Sequence, residues 1–340
     1  MVTNKNKSNL NRRQFIRTGA AALAGAAIVP SVLSGRPAEI AANATIDSIH
    51  NSPGFYRFTL NEAEITVFSD GSFRLPSEIF AFSADQEKRE EFFRSRMIPF
   101  DEVPMQSSPV LIKTENHRVL VDTGSGFSDQ EGSNIGRLGM AMQTAGISPN
   151  SINVVILTHA HPDHLGGLVH HETQDAIFPN AEIVISDVEL DFWTDNNVSM
   201  QLPDWMGPFL PGIQSVMETM DGRFRTISAG DEIVSGIRSI ASPGHTKGHI
   251  SIVLEAGDQE LLIVGDSITN IHIDFENPDW LFAFDLEPET ASNTRKRLLD
   301  MAATDGMLIL GYHFPFPGLG YALKRSSAWQ WYPAGWTVLP

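Results

Sequence analysis

One segment constrains this chain more than any other: Val154-Val155-Ile156-Leu157-Thr158-His159-Ala160-His161-Pro162-Asp163-His164-Leu165-Gly166-Gly167. An apolar, largely β-branched run reads as a buried strand, and four ligand-type side chains follow it within six positions. A strand end and a tight turn aim alternate side chains into one pocket, so His159 and His161 can share a cation. Asp163 and His164, on the opening turn of a helix, then face a second cation nearby. Imidazole and carboxylate are the donors zinc takes where sulfur is absent, and the 340 residues include no cysteine. Thiolate ligands, thiol nucleophiles and disulfides are thereby excluded.

Three further strand ends carry the same chemistry. Ser242-Pro243-Gly244-His245-Thr246-Lys247-Gly248-His249 sets histidines in a Gly-rich turn between two strand-like runs. Leu262-Ile263-Val264-Gly265-Asp266 ends in a lone carboxylate, and Leu308-Ile309-Leu310-Gly311-Tyr312-His313 ends in a histidine. A buried strand ending in one ionisable residue is costly unless that residue is paired or ligates a metal. Together these ends point to one shared site.

The remaining pattern is that of an α/β chain. Strand-like runs at 64–69, 110–113, 118–122, 153–158, 182–186, 237–240, 250–255, 260–264 and 307–311 alternate with helix-like stretches at 84–96, 135–145, 166–171, 187–195, 211–220 and 288–303. Sheets covered by helices follow from that mixture. The first 44 residues read as an address. Arg12-Arg13 precede an apolar, Ala-rich stretch that Pro30 interrupts, which resembles a twin-arginine signal peptide and is too short to span a membrane. The expectation is a leader over 1–44, one domain over 45–340, and a periplasmic or secreted product. The chain has 24 basic and 41 acidic residues; six of the former and one of the latter lie in the leader, leaving 18 against 40. So acidic a surface repels phosphate backbones and anionic lipid, and no nucleic-acid partner is expected.

The order His-x-His-x-Asp-His, Pro-Gly-His-Thr, Gly-Asp and a late strand-end His resembles the metallo-β-lactamase-fold hydrolases over residues 65 to about 320. The resemblance implies an αββα sandwich, two mixed β-sheets flanked by helices, with two metals along one edge. One zinc would take His159, His161 and His245, the other Asp163, His164 and His313, with Asp266 bridging; manganese, cobalt or iron also suit such donors. His249 is then structural, as is Asp122 in the Val121-Asp122-Thr123-Gly124 turn. A hydroxide shared by the two metals would attack the substrate, with Asp163 and Asp266 as the catalytic carboxylates.

Separations of 81, 21 and 47 residues along His164, His245, Asp266 and His313 look most like the methyl parathion hydrolase and lactonase branch, as do Ser69-Asp70-Gly71 and the run after His313. That likeness implies a homodimeric di-zinc hydrolase of lactones or aryl esters, with organophosphate triesters as further substrates. An N-acyl homoserine lactone lactonase that quenches quorum signals is the alternative, and a non-catalytic zinc-binding protein the distant one. Aromatic residues are expected to line the pocket, with Trp193 foremost and Phe80, Phe82 and Phe314 beside it; Phe73, Trp205, Phe209, Trp280, Phe282, Phe284 and Phe316 are further candidates. Strand alternation is expected to turn Tyr312 away from the ligands.

Overall fold

The computed structural model describes residues 54–126 and 134–335, so the expected leader lies outside the described residues. The chain enters through the hairpin β1 (Phe55–Leu60) and β2 (Ala63–Phe68), then a separate two-stranded ribbon, β3 (Gly71–Leu75) and β4 (Val103–Ser107). Strands β5 (Val110–Lys113), β6 (Arg118–Val121), β7 (Val154–Ile156), β8 (Glu182–Ser186) and β9 (Phe224–Ile227) complete a seven-stranded sheet in the order β1-β2-β5-β6-β7-β8-β9. It is antiparallel as far as β6 and parallel from there to β9. A second seven-stranded sheet follows in sequence order: β10 (Glu232–Val234), β11 (Ile237–Ala241), β12 (Ile250–Ala256), β13 (Gln259–Ile263), β14 (Leu308–Leu310), β15 (Leu319–Arg325) and β16 (Ala328–Pro333). Only its β13–β14 pair is parallel, so both sheets are mixed.

Strand alternation explains the layers. Val154 and Ile156 of β7 face inward with Ile65, Ile112, Val119 and Val184, and meet Ile237, Ile252, Leu261 and Ile263 of the second sheet. Val155 of the same strand faces outward, with Leu120 and Ile183, onto Leu138, Met142, Trp193 and Ile213 of the covering helices. On the far side, Val253, Leu262 and Ile309 pack under Leu298, Leu299 and Ala302 of the long helix Pro288–Asp305. Central strands buried on both faces must read as continuous apolar runs, which is how β7 and β14 read. Truncating Ile156, fully buried between the sheets, to Ala should cost about 2–5 kcal/mol.

Two local expectations need correction. Residues 166–171 form no helix beyond a single 3₁₀ turn, Gly166–Leu168, after which Val169 bridges to Ala176. The chain there lies against the turn after β6: a Cβ on Gly167 would fall 2.0 Å from the Thr123 carbonyl oxygen. Strands β1, β3, β4, β9, β10, β15 and β16 were not expected as strands. They are short or only half-buried, so their apolar pattern is weak.

Candidate metal centre

Four strand ends converge on one edge of the sandwich. His159 and His161 follow β7, and Asp163 and His164 lie on the short helix Pro162–Leu165. His245 sits in the loop from β11 to β12, Asp266 in the 3₁₀ turn after β13, and His313 just past β14. Three overlapping groups each hold ligand atoms within 4.8 Å of one another: His159, His161 and His245; His159, His164 and Asp266; Asp163, His164 and His313. Asp266 faces both sides, with one oxygen 3.2 Å from His164 Nε2 and the other 3.3 Å from His245 Nε2 and 3.1 Å from His313 Nε2.

Three of the inward-facing nitrogens, on His164, His245 and His313, are aimed by a partner on the far side of the ring. His164 Nδ1 donates to Asp122 Oδ2 at 2.8 Å, and the same carboxylate accepts from Thr158 N and Thr158 Oγ1, both at 2.8 Å. Holding those three donors puts Asp122 in the left-handed region at φ 58°, a conformation Asp tolerates better than most residues. His245 Nδ1 donates to buried Asp285 at 2.9 Å, and His313 Nδ1 to the Gln106 carbonyl at 2.7 Å. Such partners set the tautomer and orientation of a ligating histidine. Asp122 therefore holds the structural place expected of it. So does His249: Ser242 Oγ lies 2.7 Å from Nδ1, and Nε2 accepts the Asp266 N–H at 3.0 Å, which leaves no ring nitrogen free.

Charge separates the two sides. Burial, reinforced by neighbouring imidazoles, holds His159 and His161 well below the ordinary histidine value, so both stay neutral with a lone pair to offer. Burial also works against charge on His164, yet Asp266, Asp163 and Asp122 raise it well above that value, and His313 is raised by Asp266 in the same way. Asp266, despite its burial, is held well below the carboxylate range by His313, His164 and His245.

The residues fit a metal. Nε2 of His159 is buried without a hydrogen-bond partner among the described residues, Nε2 of His164 faces Asp266 Oδ1 at 3.2 Å, and His161 Nδ1 lies 2.8 Å from His245 Nε2. Native interiors rarely leave a buried nitrogen such as His159 Nε2 unsatisfied, and a cation among these facing imidazole and carboxylate atoms would satisfy it.

A pocket of about 830 Å³ opens over this edge, reaching His161, Asp163, His245, Asp266 and His313. Its apolar wall uses Phe73, Trp205, Phe209, Phe282 and Phe284, and the foremost pocket assignments do not hold. Trp193 is fully buried behind His161, with its Nε1 donating to Glu189 at 2.7 Å. Phe80 packs under Phe282, Phe82 against the helical core, and Phe314 against Phe275 and Trp331 on the outer face of the second sheet. Tyr312 also departs from expectation. It stacks on His164 with centroids 4.0 Å apart and donates to the Asp163 carbonyl at 2.5 Å, because the chain has already left β14 and strand alternation no longer applies.

Sequence reasoning missed Asp285, Glu189 and Gln106. A signal existed for the first two, each being an acid in apolar company. Asp285 closes the run Phe282-Ala283-Phe284, and Glu189 shares the buried helix face of Phe192 and Trp193.

Comparisons with known proteins agree with this geometry. Residues 103–313 match the family described as the metallo-beta-lactamase superfamily. A probable metallo-hydrolase of Mycobacterium bovis is 26% identical over 46% of this chain, and the match spans only about half of that relative, 55% of its length. An N-acyl homoserine lactonase of Bacillus thuringiensis is 25% identical over 60% of this chain and 79% of its own. The structure of AidC, a dizinc quorum-quenching lactonase solved with a homoserine product, superposes with a TM-score of 0.77 at 28% identity, covering 84% of this chain and 98% of AidC. A match across most of the chain, centred on these strand ends, leaves one conclusion: the chain belongs to the metallo-β-lactamase superfamily, among relatives that are metal-dependent hydrolases.

Proposed function

We propose that this protein is a di-zinc hydrolase of small-molecule lactones and aryl esters, with organophosphate triesters as secondary substrates. The observation that carries the reading is the convergence of three overlapping histidine and aspartate groups, ligand atoms within 4.8 Å of one another, beneath an aromatic pocket that reaches His161, Asp163, His245, Asp266 and His313. Two cations held by His159, His161 and His245 and by Asp163, His164 and His313, with Asp266 between them, would supply Lewis acidity and lower the pKa of water towards about 7.

The chain's own groups do the rest. Asp163, at 18% side-chain exposure the most open of the site carboxylates, lines the pocket and can accept a proton there. The rings of Phe73, Trp205, Phe209, Phe282 and Phe284 exclude water and bind an apolar acyl or aryl group. An aryl oxide leaves readily without a proton donor, whereas a ring alkoxide would depend on a cation or a proton to offset its charge.

A second reading, an N-acyl homoserine lactone lactonase, is favoured by the likeness to AidC and the Bacillus thuringiensis enzyme. The pocket volume of about 830 Å³ has room for an acyl chain. The test is a hydrolysis panel on zinc-loaded protein comparing dihydrocoumarin, a long-chain acyl homoserine lactone and methyl paraoxon by kcat/KM. Preference for the aryl lactone supports the first reading, and preference for the homoserine lactone transfers the function to the second. Silence on all three with zinc bound overturns both. Export by the twin-arginine route and homodimerisation belong to the same proposal, tested by cell fractionation and by sedimentation.

A further inference from the structure

We propose that Glu189 is a positioning residue that sets the two ligand loops of the His159, His161 and His245 half-site against each other and so governs that half-site's affinity for a cation. The inference rests on the metal reading above.

Glu189 occupies the first turn of the helix Asp187–Thr194 and is fully buried. Its Oε1 accepts the Ala160 N–H at 2.9 Å and the Trp193 indole N–H at 2.7 Å; Oε2 accepts the Thr246 hydroxyl at 2.7 Å and the Gly248 N–H at 3.0 Å. Ala160 lies between His159 and His161, and Thr246 follows His245. One carboxylate is thus bonded to both loops that carry the three histidines, and its indole partner lies edge-on to His161, with ring centroids 5.8 Å apart. Gly248 shows how closely the second loop rides on the helix: a Cβ there would fall 2.2 Å from Glu189 N. Among the described residues no basic side chain pairs with Glu189, so four hydrogen-bond donors carry its whole compensation. A buried carboxylate is costly unless its acceptor sites are filled.

The four donors make Glu189→Gln informative. An amide of the same shape offers one acceptor oxygen, so its NH₂ must face one of the two donor pairs. Facing Ala160 and Trp193 it meets two N–H groups that cannot reverse. Facing Thr246 and Gly248 it meets one hydroxyl that can turn and accept, and only the Gly248 N–H is lost. The disturbance therefore falls on the loop beside His245 and leaves Asp163, His164 and His313 alone.

The experiment is a stepwise cobalt(II) titration of the full chain, read by visible absorption, for wild type, Glu189→Gln and Thr246→Val, with far-UV circular dichroism on each. Wild type should bind two cobalt ions. Glu189→Gln should weaken one of them by about 10- to 100-fold and shift its absorption band while the other is unchanged. The affected ion should be the one that Asp285→Asn, on the far side of His245, also weakens. Thr246→Val removes one bond of four and should produce a smaller loss in that same ion. Equal weakening of both ions, or none, overturns the proposal, since a role in folding alone would not single out one half. If Glu189→Gln does not fold, unchanged cobalt binding by Thr246→Val overturns it instead. A wild-type chain that binds no cobalt defeats the metal reading, and this inference with it.

Discussion

On one side of Asp266, burial and neighbouring imidazoles keep His159 and His161 neutral; on the other, His164 and His313 face carboxylates that draw protons onto them. Burial opposes charge in both halves and Asp266 acts on both, so the difference comes from the other neighbours: imidazoles around the first pair, Asp163 and Asp122 around His164, and Asp163 around His313. His159 and His161 can take a cation without displacing a proton, whereas His164 and His313 must release protons as they load.

The largest test removes the group both halves share. Asp266→Ala should weaken both cations and lower kcat/KM by about 10³-fold or more, the scale of several kcal/mol of lost charge stabilisation. Metal analysis alongside steady-state kinetics checks it, and loss from one half only would show that Asp266 is not shared. Acidification should then separate the halves. Raised proton affinity on His164 and His313 means cation affinity there falls with falling pH by about tenfold per unit for each proton displaced, before the His159 and His161 half responds. Cobalt titrations repeated across a pH series read the two slopes, and equal slopes would break the comparison.

Smaller and more selective effects come from the groups behind the rings. Asp122→Asn should weaken only the half containing His164, and Asp285→Asn only the half containing His245, each by about 10- to 100-fold. Crossed effects in those titrations would mean the halves are mechanically coupled. The smallest change is expected from Phe209→Ala, which lines the pocket away from the ligands. It should raise KM for an apolar substrate about tenfold with cobalt content unchanged; a fall in metal affinity would place Phe209 in the centre rather than over it.

The legible part of this molecule was local. Runs such as 154–157 and 308–310 announce strands buried on both faces, and a ligand at a strand end is conspicuous because an apolar run has no other use for it. Hence the strand ends from His159 to His313 point to one shared site, and the family resemblance narrows it to seven dispersed residues. The ribbon β3–β4 and the terminal hairpin β15–β16 were illegible for the converse reason. Half-buried and mixed in polarity, they depend on contacts that no window of sequence contains.

Composition and order were enough to require a cysteine-free His and carboxylate site on a frame of sheets covered by helices, because ligand chemistry and strand burial are properties of short segments; the two-sheet sandwich followed only from the family resemblance. Which aromatic rings meet the pocket was another matter. Trp193 and Trp205 are alike in sequence, yet one is locked behind His161 by Glu189 while the other lines the wall. The placement of Asp285 beneath His245, 40 positions earlier in the chain, and of Glu189 between two loops is likewise a product of packing. Long-range juxtaposition depends on how layers stack and loops close, and a side chain's chemistry does not encode which neighbour it will find.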